Sequence, residues 1–235
     1  MPQRNRQPPE IDSSRLPGPT RAGGAGKAQG SREWHLPSAF SLEPSARRIA
    51  GVDEAGRGPW AGPVVAAAVV LRRPRLSVRI DDSKRLTPRQ RERAFHVILE
   101  HADVGFGIVS VEAIDRINIL RATFLAMQQA LDQLSRPPEL VLVDGPLAPP
   151  TPLPCRPIVN GDATTYVISC ASIMAKVLRD ELMTFYHELA PQYGFDQHKG
   201  YGTSLHAANL RLHGPSMFHR RTFQPVLEVI TAAHS

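Results

Sequence analysis

Four acidic residues stand where apolar segments of the chain end, a position at which carboxylates can carry chemistry. Asp53 and Glu54 follow the apolar "IAGV", Asp144 closes "ELVLVDG", and Asp162 closes "RPIVNGD". Carboxylates without a cluster of histidines or cysteines favour a hard cation such as Mg²⁺ or Mn²⁺. Two such ions, ~3.5–4 Å apart, can activate a water and stabilise the leaving oxygen of a phosphoryl transfer. The residue types therefore predict a two-metal site that acts on a phosphate ester.

Single acids among these four also have structural interpretations. Asp144 in "VDGP" could form a turn, and Asp162 could cap the N-terminus of the helix that follows. The Asp53–Glu54 pair is harder to explain in this way, because consecutive residues of a strand point to opposite faces. The two side chains can meet at one site only where the strand ends or is distorted. The glycine-rich turn at residues 56–62 supplies such a distortion.

The elements that must position these acids alternate between strands and helices. The apolar patterns predict a mixed α/β sheet of about five strands, flanked by helices and followed by a helical C-terminal region. The unbroken "VVAAAVVL" of the second strand indicates burial on both faces. Residues 72–93, with nine Lys or Arg against three acids, are predicted to form a basic, turn-like stretch. The predicted strands are 48–53, 63–71, 105–111, 139–144 and 156–162, and the predicted helices are 117–134 and 164–189.

Composition and charge restrict the class of protein further. The chain has 235 residues and a net charge of +6, with a pI of about 9.8, which favours an anionic partner such as nucleic acid or an anionic membrane surface. No apolar run approaches the ~20 residues of a membrane span, and the N-terminus lacks an apolar signal-peptide core. We therefore expect a cytoplasmic protein. Cys155 and Cys170 are isolated and predict neither a disulfide nor a zinc site.

The chain divides into two parts by composition. Residues 1–46 hold seven prolines and five glycines with few large apolar side chains, so they are predicted to be a disordered leader. Residues 47–235 are predicted to form one catalytic domain, with a helical substrate-binding part at its C-terminal end.

Five stretches of the sequence resemble those of the type 2 ribonucleases H, and in particular of bacterial ribonuclease HII. They are "GVDEAGRGPWAGPVVAAAVVL", "DDSKRLTPRQRE", "LVDG", "NGDATTYVISCASIMAKVLRDELM" and "YGFDQHKGYGTSLHAANLRLHGPSMFHRRTF". Together they cover nearly all of residues 51–223. The resemblance implies the ribonuclease H-like fold. It also implies that Asp53, Glu54, Asp144 and Asp162 are the catalytic acids and bind two Mg²⁺ or Mn²⁺ ions.

The same resemblance implies an activity and a substrate. The enzyme would be an endonuclease that hydrolyses the RNA strand of RNA/DNA hybrids and nicks DNA on the 5′ side of an embedded ribonucleotide, leaving a 3′-hydroxyl and a 5′-phosphate. In such an enzyme Gly56, Arg57 and Gly58 read the ribose 2′-hydroxyl, together with Tyr201. The 2′-hydroxyl is the feature that separates RNA from DNA at a given site. By the same resemblance Lys84 and Lys199 contact phosphates, and the enzyme works as a monomer on nucleic acid, away from membranes.

Two alternatives remain at this point. A ribonuclease HIII-like enzyme usually carries a folded N-terminal domain and a Gly-Lys-Gly motif, whereas this chain has a short Pro/Gly-rich leader and Gly-Arg-Gly. A non-catalytic nucleic-acid-binding module of the same fold is disfavoured because all four acids are present. One departure from the family is Thr164, where a lysine is frequent, so this segment is not expected to add a positive charge. Ser169 and Cys170 are predicted to be small packing residues of a buried helix.

Overall fold

The computed structural model describes residues 48–233 of the chain, all of which belong to one compact unit. The predicted leader, residues 1–46, lies outside the described residues. Five strands and eight helices make up this part of the chain, together with short 3₁₀ turns. The strands are β1 (Ile49–Ala55), β2 (Val64–Leu71), β3 (Ala102–Val109), β4 (Leu140–Asp144) and β5 (Cys155–Ile158). The helices are α1 (Pro88–His101), α2 (Val111–Ile117), α3 (Ile119–Asp132), α4 (Gly161–Thr164), α5 (Tyr166–Leu189), α6 (Phe195–His198), α7 (Ser204–His213) and α8 (Gln224–Ala232).

The strands form one mixed sheet in the order β3-β2-β1-β4-β5. Strands β1, β2 and β3 pair antiparallel as a meander, while β4 joins β1 in parallel and β5 joins β4 in parallel. The mixed sheet of five strands with flanking helices confirms the predicted fold class. Within residues 48–233, no helix combines the length and apolarity that crossing a membrane would require.

Strand β2 lies between two hydrophobic layers, one on each face of the sheet, as its unbroken apolar run predicts. Ala66 and Ala68 pack into the layer that contains α3, and Ala67 and Val69 pack into the layer that contains α1 and α5. Alternate residues of a strand point to opposite faces, so small side chains on both faces let helices approach the sheet on either side.

Helix α5 lies directly against the strand that carries the first two acids. A Cβ at Gly51 of β1 would stand 2.4 Å from the Val167 carbonyl carbon of α5, so only glycine fits there. Cys170 and Ser169 of the same helix are fully buried, which confirms their prediction as small packing residues. This close approach brings the middle of α5 beside Asp53.

Several boundaries differ from the predicted ones. The third strand, predicted over 105–111, is Ala102–Val109, and the fifth, predicted over 156–162, ends at Ile158 because residues 161–164 form α4. Three further differences have local reasons. Strand β1 does not end at Asp53 but continues through Glu54 to Ala55, because Asp53 and Glu54 still pair with β2. Part of the predicted basic turn is helix α1, whose start carries a capping box between Thr87 and Gln90 with proline as its first residue. The predicted helix at 117–134 is interrupted at Asn118, which has φ 66° and caps α3 with its side chain.

Candidate active site

Three of the four predicted acids converge at the carboxyl ends of β1 and β4. Asp53, Asp144 and Asp162 each offer a carboxylate oxygen, and these oxygens lie within 4.8 Å of one another. Strands β1 and β4 are parallel neighbours, so their ends meet at one edge of the sheet. The loop after β5 adds Asp162, which is the second residue of the short helix α4 rather than its N-cap. Oxygens this close, all from carboxylates, fit a hard divalent cation.

The charge on Asp53 is costly in the absence of a cation. Burial raises the pKa of Asp53 well above its usual range, and repulsion from Glu54 and Asp144 raises it further. A hydrogen bond with the Ser172 side chain of α5 opposes this shift. A buried carboxylate that is repelled by other carboxylates needs a positive charge beside it, which a bound divalent ion would provide.

Asp144 and Asp162 are joined through the backbone. The Asp162 N–H donates to Asp144 Oδ1 at 3.1 Å, which fixes the start of α4 beside the end of β4. Burial raises the pKa of Asp144, and repulsion from Asp162 raises it further. Backbone hydrogen bonds to the Asp144 carboxylate oppose this rise. Lys84 Nζ lies 3.3 Å from Asp162 Oδ2, so this predicted phosphate-binding lysine reaches the acidic group itself.

Glu54 lies beside the three aspartates but does not belong to their close group. Its carboxylate is 3.4 Å from Arg57 Nη1, and its pKa is raised by burial and by repulsion from Asp144, against the lowering by Arg57. Regular pairing of β1 through Ala55 explains the separation, because Asp53 and Glu54 then point to opposite faces. The assignment of Glu54 as a metal ligand stays a prediction.

The glycine-rich turn after β1 reaches the predicted tyrosine. Gly58 is exposed, and a Cβ added to it would lie 3.9 Å from Tyr201 Cε1. Tyr201 is 45% exposed, and no described residue hydrogen-bonds to its hydroxyl, while Lys176 and Arg179 of α5 lie near its ring. Arg57, Gly58 and Tyr201 are therefore exposed close to one another, Arg57 contacts Glu54, and Gly56 is buried beside them. We call these four residues the reading surface.

Two buried histidines hold the loop of residues 199–203, which we call the Tyr201 loop. Because the Ser216 N–H donates to His219 Nδ1, His219 Nε2 carries the proton and donates to His206 Nε2 at 3.0 Å. His206 Nδ1 in turn donates to the Tyr201 carbonyl at 2.9 Å. Burial lowers the pKa of His206 to about 4 and that of His219 to about 3, so both rings are neutral at physiological pH. The two hydrogen-bonded neutral rings therefore hold the backbone carbonyl of Tyr201 in place.

The second predicted phosphate contact, Lys199, is the first residue of the same loop. Its ammonium donates to Thr184 Oγ1 at 2.7 Å, and its backbone has φ 51°. The acids that act on Lys199 are Asp180 and Asp196, whereas Lys84 contacts Asp162, so the two lysines have different surroundings. Their roles toward phosphate stay predictions.

Four residues near the site were not singled out from the sequence. Ser172, Lys176 and Arg179 recur at helical spacing on α5 within "ASIMAKVLRD", and this spacing was the available signal. Ser172 contacts Asp53, and the other two lie near Tyr201. The fourth is Arg220 in "HRRTF", whose fully buried guanidinium has no such signal in the sequence.

The sheet, its acidic edge and the basic groups around it define a metal-dependent nuclease of the ribonuclease H-like fold. The family model described as ribonuclease HII matches residues 50–226, so the chain belongs to the ribonuclease HII family. It is therefore a ribonuclease H, an endonuclease of the hydrolase class. The divalent-metal dependence of this family agrees with the cluster of three aspartates.

Similar proteins agree with this family. A ribonuclease HII of Chlamydia trachomatis serovar A is 52% identical over 192 residues, which cover 81% of this chain and 88% of that protein. The crystal structure of the ribonuclease H2 from Pyrococcus horikoshii OT3 has a TM-score of 0.64 at 25% identity, covering 80% of this chain and 99% of that one. Bst-RNase HIII in complex with Mn²⁺ has a TM-score of 0.65 at 19% identity, covering 85% of this chain and 74% of that one, and shares the fold.

Divalent ions should stabilise this protein in a pH-dependent way. The pKa values of Asp53 and Asp144 are raised in the fold, so these carboxyls favour folding when protonated, and their contribution is lost as pH rises through the folded pKa values. A bound cation reverses this by favouring the ionised groups. We expect Mg²⁺ or Mn²⁺ to raise the thermal midpoint more as pH rises from acidic to neutral. Asp144→Asn should reduce the increase, and an increase independent of pH would contradict the site.

Proposed function

We propose that the enzyme hydrolyses the phosphodiester on the 5′ side of a ribonucleotide, in an RNA/DNA hybrid or embedded in duplex DNA. Water adds to the phosphorus and the bond from phosphorus to the upstream 3′ oxygen breaks, giving a 3′-hydroxyl and a 5′-phosphate. The observation that carries the proposal is that the turn with the exposed Gly58, which lies next to Tyr201, follows Asp53 and Glu54 directly in the chain and returns to Glu54 through Arg57. A ribose bound there has its scissile phosphate near the acids.

Asp53, Asp144 and Asp162 would hold two Mg²⁺ or Mn²⁺ ions, with Glu54 as a further ligand. When bound, such ions supply charge stabilisation and a nucleophilic water at neutral pH. The three clustered carboxylates support this role because they are costly together without a cation. The protein contributes the fixed spacing of the oxygens. Strands β1 and β4 carry Asp53 and Asp144, and α4, which is bonded to Asp144 through the Asp162 N–H, carries Asp162.

Arg57, Lys84 and Lys199 would contact phosphates of the duplex. Contacts to phosphates position a nucleic acid and carry no sequence information, so they suit an enzyme that recognises a sugar. Lys84 would exchange its contact with Asp162 for one with the substrate once cations occupy the acids. We propose that the enzyme acts as a monomer in the cytoplasm and needs no membrane.

The reading surface would select the ribonucleotide. The exposed Gly58 backbone lies next to the Tyr201 ring, so a single ribose could meet both. Such selection requires the 2′-hydroxyl, which DNA lacks. A ribonuclease HIII-like activity is the second candidate. It is less favoured because the matched family and the similar Chlamydia protein are both ribonuclease HII.

The test is cleavage of end-labelled duplexes in the presence of Mg²⁺ or Mn²⁺. One strand of each duplex contains no ribonucleotide, one ribonucleotide, four ribonucleotides or ribonucleotides throughout. We expect a cut on the 5′ side of the single ribonucleotide and none in the all-DNA duplex. Equal cutting of all-DNA and ribonucleotide-containing duplexes would refute selection by sugar. A requirement for a run of ribonucleotides would favour the second candidate.

Tyr201 should contribute to this selection by two separable means. Tyr201→Phe keeps the ring and loses a hydroxyl hydrogen bond of about 0.5–1.5 kcal/mol, so kcat/KM on a single-ribonucleotide duplex should fall by about tenfold or less. Tyr201→Ala also loses stacking on the sugar and should cost clearly more. Tyr186→Phe is a matched control, because it also removes only a hydroxyl from a tyrosine of this region, whose ring stacks on Phe218 instead of lying beside Gly58. Wild-type kcat/KM in Tyr201→Ala would contradict the role.

A further inference from the structure

Arg220 is a fully buried cation that is bonded to backbone carbonyls instead of a carboxylate. Its guanidinium donates to the carbonyls of Arg57 at 2.9 Å, Gly62 at 2.8 Å and Pro63 at 3.2 Å, and also to that of Gly56. No ion pair within residues 48–233 includes it. Burying a charge is costly unless its donors are satisfied, so four carbonyls of one turn must face this side chain.

The orientation of these carbonyls determines where the amides of the turn point. In a trans peptide the C=O and the next N–H point in opposite directions, and the described residues contain no cis bond. Since the Gly56 and Arg57 carbonyls face Arg220, the N–H groups of Arg57 and Gly58 face away from it. Neither N–H donates to a residue that the structure describes, and both residues are exposed. Two adjacent free donors therefore stand on the reading surface beside Tyr201.

A second buried arginine holds the other end of the same turn. Arg179 of α5 donates to the carbonyls of Ala61, Pro63 and Lys199 at 3.0–3.1 Å. It thus ties the turn to the Tyr201 loop but leaves the carbonyls of Gly56 and Arg57 to Arg220. Both arginines donate to the Pro63 carbonyl, but only Arg220 fixes the peptides whose amides are free.

We propose that Arg220 is a positioning residue for ribonucleotide selection, which acts by turning the Arg57 and Gly58 amides outward as donors toward the substrate sugar. This inference rests on the proposed function, in which these residues read the 2′-hydroxyl. Arg220 lies beneath the turn and acts through it without touching the substrate. A planar guanidinium is suited to this task, because its five donors have fixed directions and can hold several carbonyls at once.

The decisive measurement is the ratio of affinities for two duplexes of the same sequence, one with a single ribonucleotide and one of DNA only. The full-length Asp53→Asn protein serves as the uncleaving parent, with Mg²⁺ present. Adding Arg220→Lys should lower the preference for the ribonucleotide by about tenfold, since a lysine cannot align both peptides and one or two hydrogen bonds are lost. Affinity for the DNA duplex should change by less than about twofold, because phosphate contacts carry it.

A matched control separates positioning from a general loss of stability. Arg48→Lys removes another arginine that donates to a backbone carbonyl, that of Arg136, at the start of β1 and far from the turn. It should lower the thermal midpoint and leave the ratio unchanged. An unchanged ratio in Arg220→Lys, or an equal loss on both duplexes, would overturn the inference. Absence of any preference in the parent would instead refute the proposed function.

Hydrogen exchange of the uncleaving Asp53→Asn parent, in which Arg220 is intact, tests the same inference if Arg220→Lys does not fold. The amides of Arg57 and Gly58 should exchange fast in the free protein and slow down with the ribonucleotide duplex, but not with the DNA duplex. Protection of these amides in the free protein, or equal protection by both duplexes, would overturn the inference.

Discussion

Asp53→Asn should abolish cleavage and at the same time stabilise the metal-free protein. Substitution of a residue that supports a metal ligand, without binding the ion itself, lowers metal affinity or activity by about 10–100-fold. Loss of a direct ligand should therefore lower kcat by more than about 100-fold. The stability effect has the opposite sign because Asp53 is buried and repelled by Glu54 and Asp144. At neutral pH the neutral amide removes that repulsion, so the thermal midpoint without divalent ions should rise.

Two measurements on purified protein decide this prediction: cleavage of a single-ribonucleotide duplex, and thermal unfolding in the presence of a chelator. Asp103→Asn is the matched control, since Asp103 pairs with Arg48 far from the acids. Its pKa is lowered, by hydrogen bonds from Ser135 and Arg48 that outweigh burial, so its loss should destabilise the protein and leave cleavage intact. Near-normal activity of Asp53→Asn with Mg²⁺ would exclude the proposed mechanism.

Gly56 and Gly58 should respond to alanine in opposite ways. Gly56 has φ +98°, and a Cβ there would stand 2.1 Å from Arg179 Nε and 2.7 Å from the Pro63 carbonyl. Arg179 is held by three carbonyls and cannot move aside, so Gly56→Ala should lower the free energy of unfolding by at least about 3 kcal/mol. A Cβ on Gly58 meets only Tyr201 at 3.9 Å, so Gly58→Ala should keep its stability and lose cleavage.

Urea unfolding measures the stabilities, and cleavage with DNA-duplex binding measures the function. Gly214→Ala measures a backbone cost without a clash, because Gly214 has φ +69° and ψ 179° with nothing within 4 Å of the added Cβ. It should cost about 1–3 kcal/mol. A stable Gly56→Ala would show that the turn relaxes easily. Full cleavage by Gly58→Ala or Gly58→Val would show that the sugar does not approach this backbone closely.

Local patterns in the sequence determined much of the fold and the identity of the candidate site. The continuous apolar run of β2 predicted burial on both faces, because only a central strand covered by helices can bury every side chain. The residue types of Asp53, Asp144 and Asp162 predicted a site for a hard cation, since ligand chemistry depends on the atoms offered. The sequence pattern does not predict helix α1 although its capping box is local, because the basic charge of residues 72–93 is typical of an exposed turn-like stretch.

The tertiary structure alone decided which of these residues meet. Asp53 and Asp144 are distant in the chain and converge because β1 and β4 are parallel neighbours, a pairing that no local pattern specifies. The separation of Glu54 from the three aspartates follows from the regular pairing of β1 with β2 through Ala55. The same holds for the turn. The sequence shows its glycines, but only the packing of Arg179 and Arg220 against it determines that Gly56 is buried and that Gly58 is exposed beside Tyr201.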